Sequence, residues 1–231
     1  MPPHQRPMKK TLIALLLTLF AIFSLSAQET GDEQTLVRFR TNKGSFTIAL
    51  YNDTPIHKAT FLKHVQDGDF DGLLFHRVIR NFMVQAGGAL HEGTKAQEKK
   101  LEALSEATIE KEIVYPKHYH KRGAVAAARM GDDVNPEQRS SALQFYVAVG
   151  KFYLEKELEP YAKDSIAPMT EEIKQTYMTE AGIPHLDGRY TVFGEVVKGM
   201  DTILKIQSQE TDADDRPIKP VYIKSAKVVK R

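Results

Sequence analysis

The 231-residue sequence contains no cysteine and no tryptophan, and beyond its first 27 residues it has no long apolar run and no block of like charge. Without cysteine there can be no structural disulfides, thiolate zinc centres, cysteine nucleophiles or lipid attachment to an N-terminal cysteine. Without a charge block, tracking along nucleic acid or an acidic membrane is not expected, because such binding neutralises many phosphates at once. Gly-x-Ser-x-Gly, P-loop and His-Glu-x-x-His patterns are missing too, so hydrolase and nucleotide-binding functions lack a motif. His118 and His120 come nearest to a metal pair, but their spacing is short and no carboxylate stands obviously beside them. Neither a metal nor a cofactor is expected.

What is present is an ordinary globular composition, 42% hydrophobic and 27% charged, which excludes disorder and collagen and fits one decorated domain. Residues 1–27 carry Arg6, Lys9 and Lys10, no acid, and an uncharged run from Thr11 to Ala27 that ends in small and polar residues. This is the layout of a secretory signal peptide, with cleavage expected near Ala27 and retention as an anchor as the alternative. Removing it leaves 29 Lys and Arg against 30 Asp and Glu, a formal charge of −1. The expected protein is exported to the periplasm or envelope, without stable membrane insertion once cleaved. A polar lead over 28–34 then precedes a domain over 35–231.

Within that domain, Phe46, Ile48 and Leu50 alternate with polar or small residues after the turn Thr41-Asn42-Lys43-Gly44, predicting a hairpin over 35–50. Thr54 or Asp53 can cap a helix with Pro55 at its first position and Gly68 at its end. Leu73 to Gln85 reads as two short strands around Arg80-Asn81, and strands are expected again at 143–149, 190–197 and 221–229, with a short helix over 200–206. The run Ala124-Val125-Ala126-Ala127-Ala128 fits a helix or a closely packed strand equally well. Charged, helix-compatible segments at about 91–120 and 151–184 interrupt this pattern as two insertions. The many short strands suggest a closed or nearly closed barrel with helices over its ends.

Phe75-His76-Arg77-Val78-Ile79 places a guanidinium and an imidazole in an apolar strand, so Arg77 should reach a cleft or a carboxylate unless it is a plain surface arginine. Together with Phe82-Met83-Val84-Gln85, Gln144-Phe145-Tyr146, Leu186-Asp187-Gly188 and Val192-Phe193-Gly194-Glu195-Val196-Val197-Lys198-Gly199-Met200-Asp201, this segment resembles the cyclophilin family of peptidyl-prolyl isomerases. The order and spacing match from about Val37 to Val229, apart from the two insertions.

The resemblance implies a mostly β fold, an eight-stranded antiparallel barrel capped by two α-helices, and makes the alanine run a strand. It implies rotamase activity on proline-containing clients, without cofactor or metal, in a monomer that assists folding of exported proteins. Arg77 matches the catalytic arginine, while Phe82, Met83, Leu186 and Tyr146 match walls of the proline pocket. Gln85, Ala128, Arg129, Gln144, His185 and Tyr190 complete the expected substrate groove.

Five positions depart from the common pattern. Tyr146 replaces Phe and needs a partner for its hydroxyl. His185 replaces Trp, so cyclosporin binding should be weak, and Tyr190 replaces His. Arg129 replaces Asn and, with Arg80 replacing Pro, would add positive charge beside the groove and favour acidic client segments. A proline-segment-binding chaperone with little isomerase activity is the competing function. The insertions could carry a client surface or be solvated decoration.

Overall fold

The computed structural model describes residues 34–230. The Thr11–Ala27 run, read as a leader, lies outside them. Among the described residues no helix is long and apolar enough to cross a membrane.

The predicted hairpin forms from β1 (Thr35–Thr41) and β2 (Gly44–Leu50), paired throughout their length. Helix α1 (Pro55–Asp67) follows, then β3 (Arg77–Ile79) and β4 (Met83–Ala86), joined through Asn81 at φ +58°. The first insertion holds α2 (Lys95–Glu106) and β5 (Thr108–Ile109). Next come β6 (Ala124–Ala127), β7 (Ser140–Ser141) and β8 (Phe145–Ala148). The second insertion holds α3 (Glu155–Ala162) and α4 (Glu171–Thr179), and β9 (Val192–Lys198), α5 (Met200–Gln207) and β10 (Ile223–Val229) complete the chain.

Eight strands form one antiparallel sheet in the order β10-β1-β2-β9-β6-β8-β4-β3. The sheet curls until its ends meet, with Phe75 N–H donating to Val221 O at 2.8 Å and Ile223 N–H to Leu73 O at 2.9 Å. Closure leaves few unpaired edges, the exposed feature that antiparallel sheets must otherwise protect. The alanine run is therefore a strand: β6 pairs with both β8 and β9, and tertiary pairing overrides alanine's helical preference.

The interior is filled by a phenylalanine cluster in which Phe39, Phe61, Phe70 and Phe145 pack with ring centroids 4.8–6.0 Å apart. Phe61 and Val65 of α1 and Ile203 and Ile206 of α5 close the barrel ends. Among the described residues, three of the five α-helices, α2, α3 and α4, belong to the insertions.

Two local expectations need correction. Thr54 is the N-cap of α1, yet its hydroxyl makes no cap bond; Glu112 of the first insertion accepts the N–H groups of Ile56 and His57 at 3.0 and 2.9 Å. His118 and His120, lacking an obvious carboxylate in sequence, each gain one from a distant segment: Asp53 at 2.7 Å and Asp187 at 2.9 Å.

Candidate active site

The alternation of β3, β4, β8 and β6 sorts their side chains onto two faces. Val78, Val84, Phe145, Val147, Val125 and Ala127 point into the barrel, while Arg77, Gln85, Tyr146 and Ala126 oppose one another in register across the outer face. One transverse row thus carries a cation, an amide and a phenol on a rigid sheet, with Met83 beside it on β4.

The segment after the second insertion folds over that row. Pro184–Leu186 forms a 3-10 turn, placing Leu186 opposite Met83 and stacking His185 on Phe82 with ring centroids 5.5 Å apart. The open cleft measures about 210 Å³, large enough for a proline ring and its flanking backbone. Phe82, Met83, Tyr146, Leu186 and Tyr190 form its walls, and Arg77, Gln85, Ala128 and Arg129 lie at its rim. Gln144 is just behind, accepting from Gln85 Nε2 at 3.0 Å and fixing that amide. His185 lies at the edge through its stack on Phe82.

Arg77 does what an arginine in an apolar strand must. It lines the cavity, and its Nε lies 3.5 Å from Asp215 Oδ2, with the two side chains 46% and 41% exposed. A pair this exposed contributes little stability, but it holds the guanidinium at the cavity mouth.

Arg129 differs from the expectation of free positive charge. Its guanidinium lies 4.5 Å from the Tyr190 ring centroid, donates from Nε to Arg189 O at 3.1 Å and is paired with Asp132. That carboxylate, together with the stacking on Tyr190, uses the charge locally. Arg80 is exposed on the turn.

Tyr146 has the partner its hydroxyl requires: His120 Nε2 at 2.9 Å. Burial, with the nearby Tyr190 and Asp187 charges adding to it, pushes the phenol far above its ordinary value, so it stays neutral. Burial likewise holds His185 below the usual imidazole range, with His120 reinforcing the shift. At neutral pH Tyr146 and His185 are therefore uncharged rings.

Sequence reading missed Asp215, Asp132 and the His120–Asp187 pair. Asp215 stands 138 positions after Arg77 and Asp187 stands 67 after His120, so no local pattern joins them. The available signals were the acidic run Asp212-Ala213-Asp214-Asp215 and the buried phenol's need for a partner.

Comparisons with known proteins identify the family. The sequence profile of the cyclophilin type peptidyl-prolyl cis-trans isomerase/CLD family matches residues 36–228. A candidate peptidyl-prolyl cis-trans isomerase of Staphylococcus haemolyticus is 30% identical over 202 residues, covering 87% of this chain and 94% of that one. A candidate bifunctional phosphatase/peptidyl-prolyl cis-trans isomerase of Streptococcus pyogenes is 32% identical over 204 residues, covering 86% of this chain and 39% of that one. In fold, a crystal structure of a Cryptosporidium parvum cyclophilin type isomerase superposes with a TM-score of 0.60 at 19% identity, covering 86% of this chain and 99% of that one. The chain belongs to the cyclophilin-type peptidyl-prolyl cis-trans isomerase family, and its activity is that of a peptidyl-prolyl isomerase.

Proposed function

We propose that the cavity holds the proline of an Xaa-Pro segment while Arg77 lowers the barrier to rotation about the preceding bond. The observation that carries this reading is the coincidence of a guanidinium, a fixed amide and a proline-sized cleft with aromatic and aliphatic walls on one row of the sheet.

An Xaa-Pro imide rotates slowly because twisting removes amide resonance, a barrier of about 18–20 kcal/mol. In the twisted state the proline nitrogen turns pyramidal and gains a lone pair that the planar imide lacks. A guanidinium N–H directed at that nitrogen binds the twisted state better than the planar one, and only such differential binding accelerates the step. Arginine suits the role because it stays charged and presents a rigid fork. Phe82, Met83, Tyr146 and Leu186 grip the pyrrolidine, and Gln85 with the rim backbone at Ala128 and Arg129 holds the flanking chain. Confining one side leaves rotation to one bond.

The protein acts as a monomer on proline-containing clients in the periplasm or envelope and assists their folding after removal of residues 1–27. The composition of that segment supports export. His185 in place of an indole supports weak cyclosporin binding, and with Arg129 paired to Asp132 any acidic client preference rests on Arg80.

The test is the cis-to-trans rate of an Xaa-Pro tetrapeptide with the full chain and with Arg77→Ala. Acceleration by the wild type that the variant largely loses supports the mechanism. Peptide binding without acceleration by either chain refutes it in favour of a proline-segment-binding chaperone. Mass measurement of the protein recovered from the envelope tests export: an intact N-terminus contradicts cleavage.

A further inference from the structure

A polar chain runs from the second insertion to the wall of the proline pocket. Tyr177 of α4, 0% exposed, donates its hydroxyl to Asp187 Oδ2 at 2.6 Å. The other oxygen of that carboxylate, Oδ1, accepts the His120 backbone N–H at 2.8 Å and lies 2.9 Å from His120 Nδ1. Across the imidazole, Nε2 meets the Tyr146 hydroxyl at 2.9 Å. Every residue in the chain is at most 4% exposed.

The order of donors follows from chemistry. The Asp187 carboxylate only accepts, so Nδ1 carries a proton; in the neutral imidazole Nε2 is then the acceptor and the Tyr146 hydroxyl donates to it. All the polar atoms along the chain are then satisfied. A network in this state is stiff, and one that loses a member leaves a buried group without a partner, which is costly.

Packing makes the same connection. The imidazole and the Tyr146 ring lie nearly parallel, 12° apart with centroids 5.9 Å apart, so His120 sits alongside the wall as well as bonding its hydroxyl. At the other end, a Cβ on Gly182 would fall 2.2 Å from Tyr177 Cε1, so the absence of a side chain there admits the ring. The insertion has a second attachment nearby, Asp164 Oδ2 accepting from the Arg189 guanidinium at 2.7 Å. Phenylalanine at 146 would wall the pocket equally well with no hydroxyl to satisfy. The hydroxyl is what links the wall to a distant helix.

We infer that the second insertion is a positioning element of the isomerase, with Tyr177 orienting the Tyr146 wall of the proline pocket through Asp187 and His120. The inference rests on the cavity being the isomerase site. Tyr177 touches no substrate and is a positioning residue.

A double-mutant cycle on the full chain tests it, with Tyr177→Phe, Tyr146→Phe and the pair compared on an Xaa-Pro tetrapeptide well below the unfolding temperature, kcat and KM separately. Tyr177→Phe should lower kcat/KM about fivefold, the size of one hydrogen bond, mainly through KM. In the Tyr146→Phe background the same change should cost about twofold, carried by the turn that bears Leu186. Equal losses in both backgrounds, or a lower Tm with unchanged kcat/KM, overturn the inference.

A second measurement needs no variant. Saturating the wild type with the tetrapeptide should shift the NMR signals of the His120 ring nitrogens and the Tyr177 ring, although both residues are buried behind the wall; unmoved signals overturn the inference. The two readings fail separately. A wild type that moves those signals but does not accelerate isomerisation contradicts the assignment of the site and supports the positioning chain.

Discussion

The two insertions are fastened to the same barrel by different chemistry. The first is held by carboxylates that meet histidines and lysines: Glu112 with His57, Asp69 with His64 and Lys100, and Asp53 with His118 and Lys117. The second has its own apolar centre of Tyr153, Leu158, Ile173 and Tyr177, and reaches the barrel through the buried Tyr177 hydroxyl and one ion pair, Asp164 with Arg189. The first fastening is electrostatic and answers to pH. The second depends on packing and ends at the pocket.

Four changes would break or sharpen that contrast. Largest is Leu158→Ala, which empties a fully buried position in the second insertion and should cost about 2–5 kcal/mol in chemical denaturation. Its loosening should also lower kcat/KM, because Tyr177 shares that centre. Glu112→Ala removes a helix cap and the hydrogen bond to His57 Nδ1 at once, and about 2–3 kcal/mol is expected from the same measurement. Turnover by the protein that remains folded should be within about twofold of wild type, since Glu112 lies apart from the cavity.

Acidification comes next. Burial outweighs the Glu112 carboxylate and holds His57 below its ordinary 6.5, and His57 Nε2 is buried without a partner for a second proton. A depressed histidine pKa means that the unfolded chain takes up protons first, so stability is full above about pH 6.5 and falls as pH drops through the folded value. His76 and His185, both lowered by burial, act in the same direction. Asp69 adds to the loss at lower pH: burial opposes its ionisation, but bonds from His64 and Lys100 overcome that and hold it below 3.8. Tm should therefore fall steadily from neutral to acid pH, and a flat profile would contradict the electrostatic fastening. Smallest is Lys100→Ala. Its side chain is 61% exposed, so less than about 1 kcal/mol is expected from denaturant melts.

The same contrast explains what the sequence made legible. Alternation in β2 and the residues from Phe75 to Gln85 specify their own geometry, because a strand's period sorts its side chains whatever lies across from it. Arg77 stood out from its apolar strand for that reason, while Met83 and Gln85 were identified through the family resemblance. The alanine run was ambiguous because its conformation is decided by the strands on either side. Glu112, Asp187 and Asp215 were not readable as partners, since each meets its histidine or arginine only after the barrel closes. Pairing across 55, 67 and 138 positions leaves no periodic trace.

The most direct test of the account separates binding from turnover at Arg77. Dissociation constants for an Xaa-Pro tetrapeptide should differ less than about threefold between wild type and Arg77→Ala, while kcat falls about 100-fold or more, as expected for an interaction made mainly in the twisted state. A parallel loss of affinity and turnover, or a variant that turns over as fast as wild type, would contradict the account.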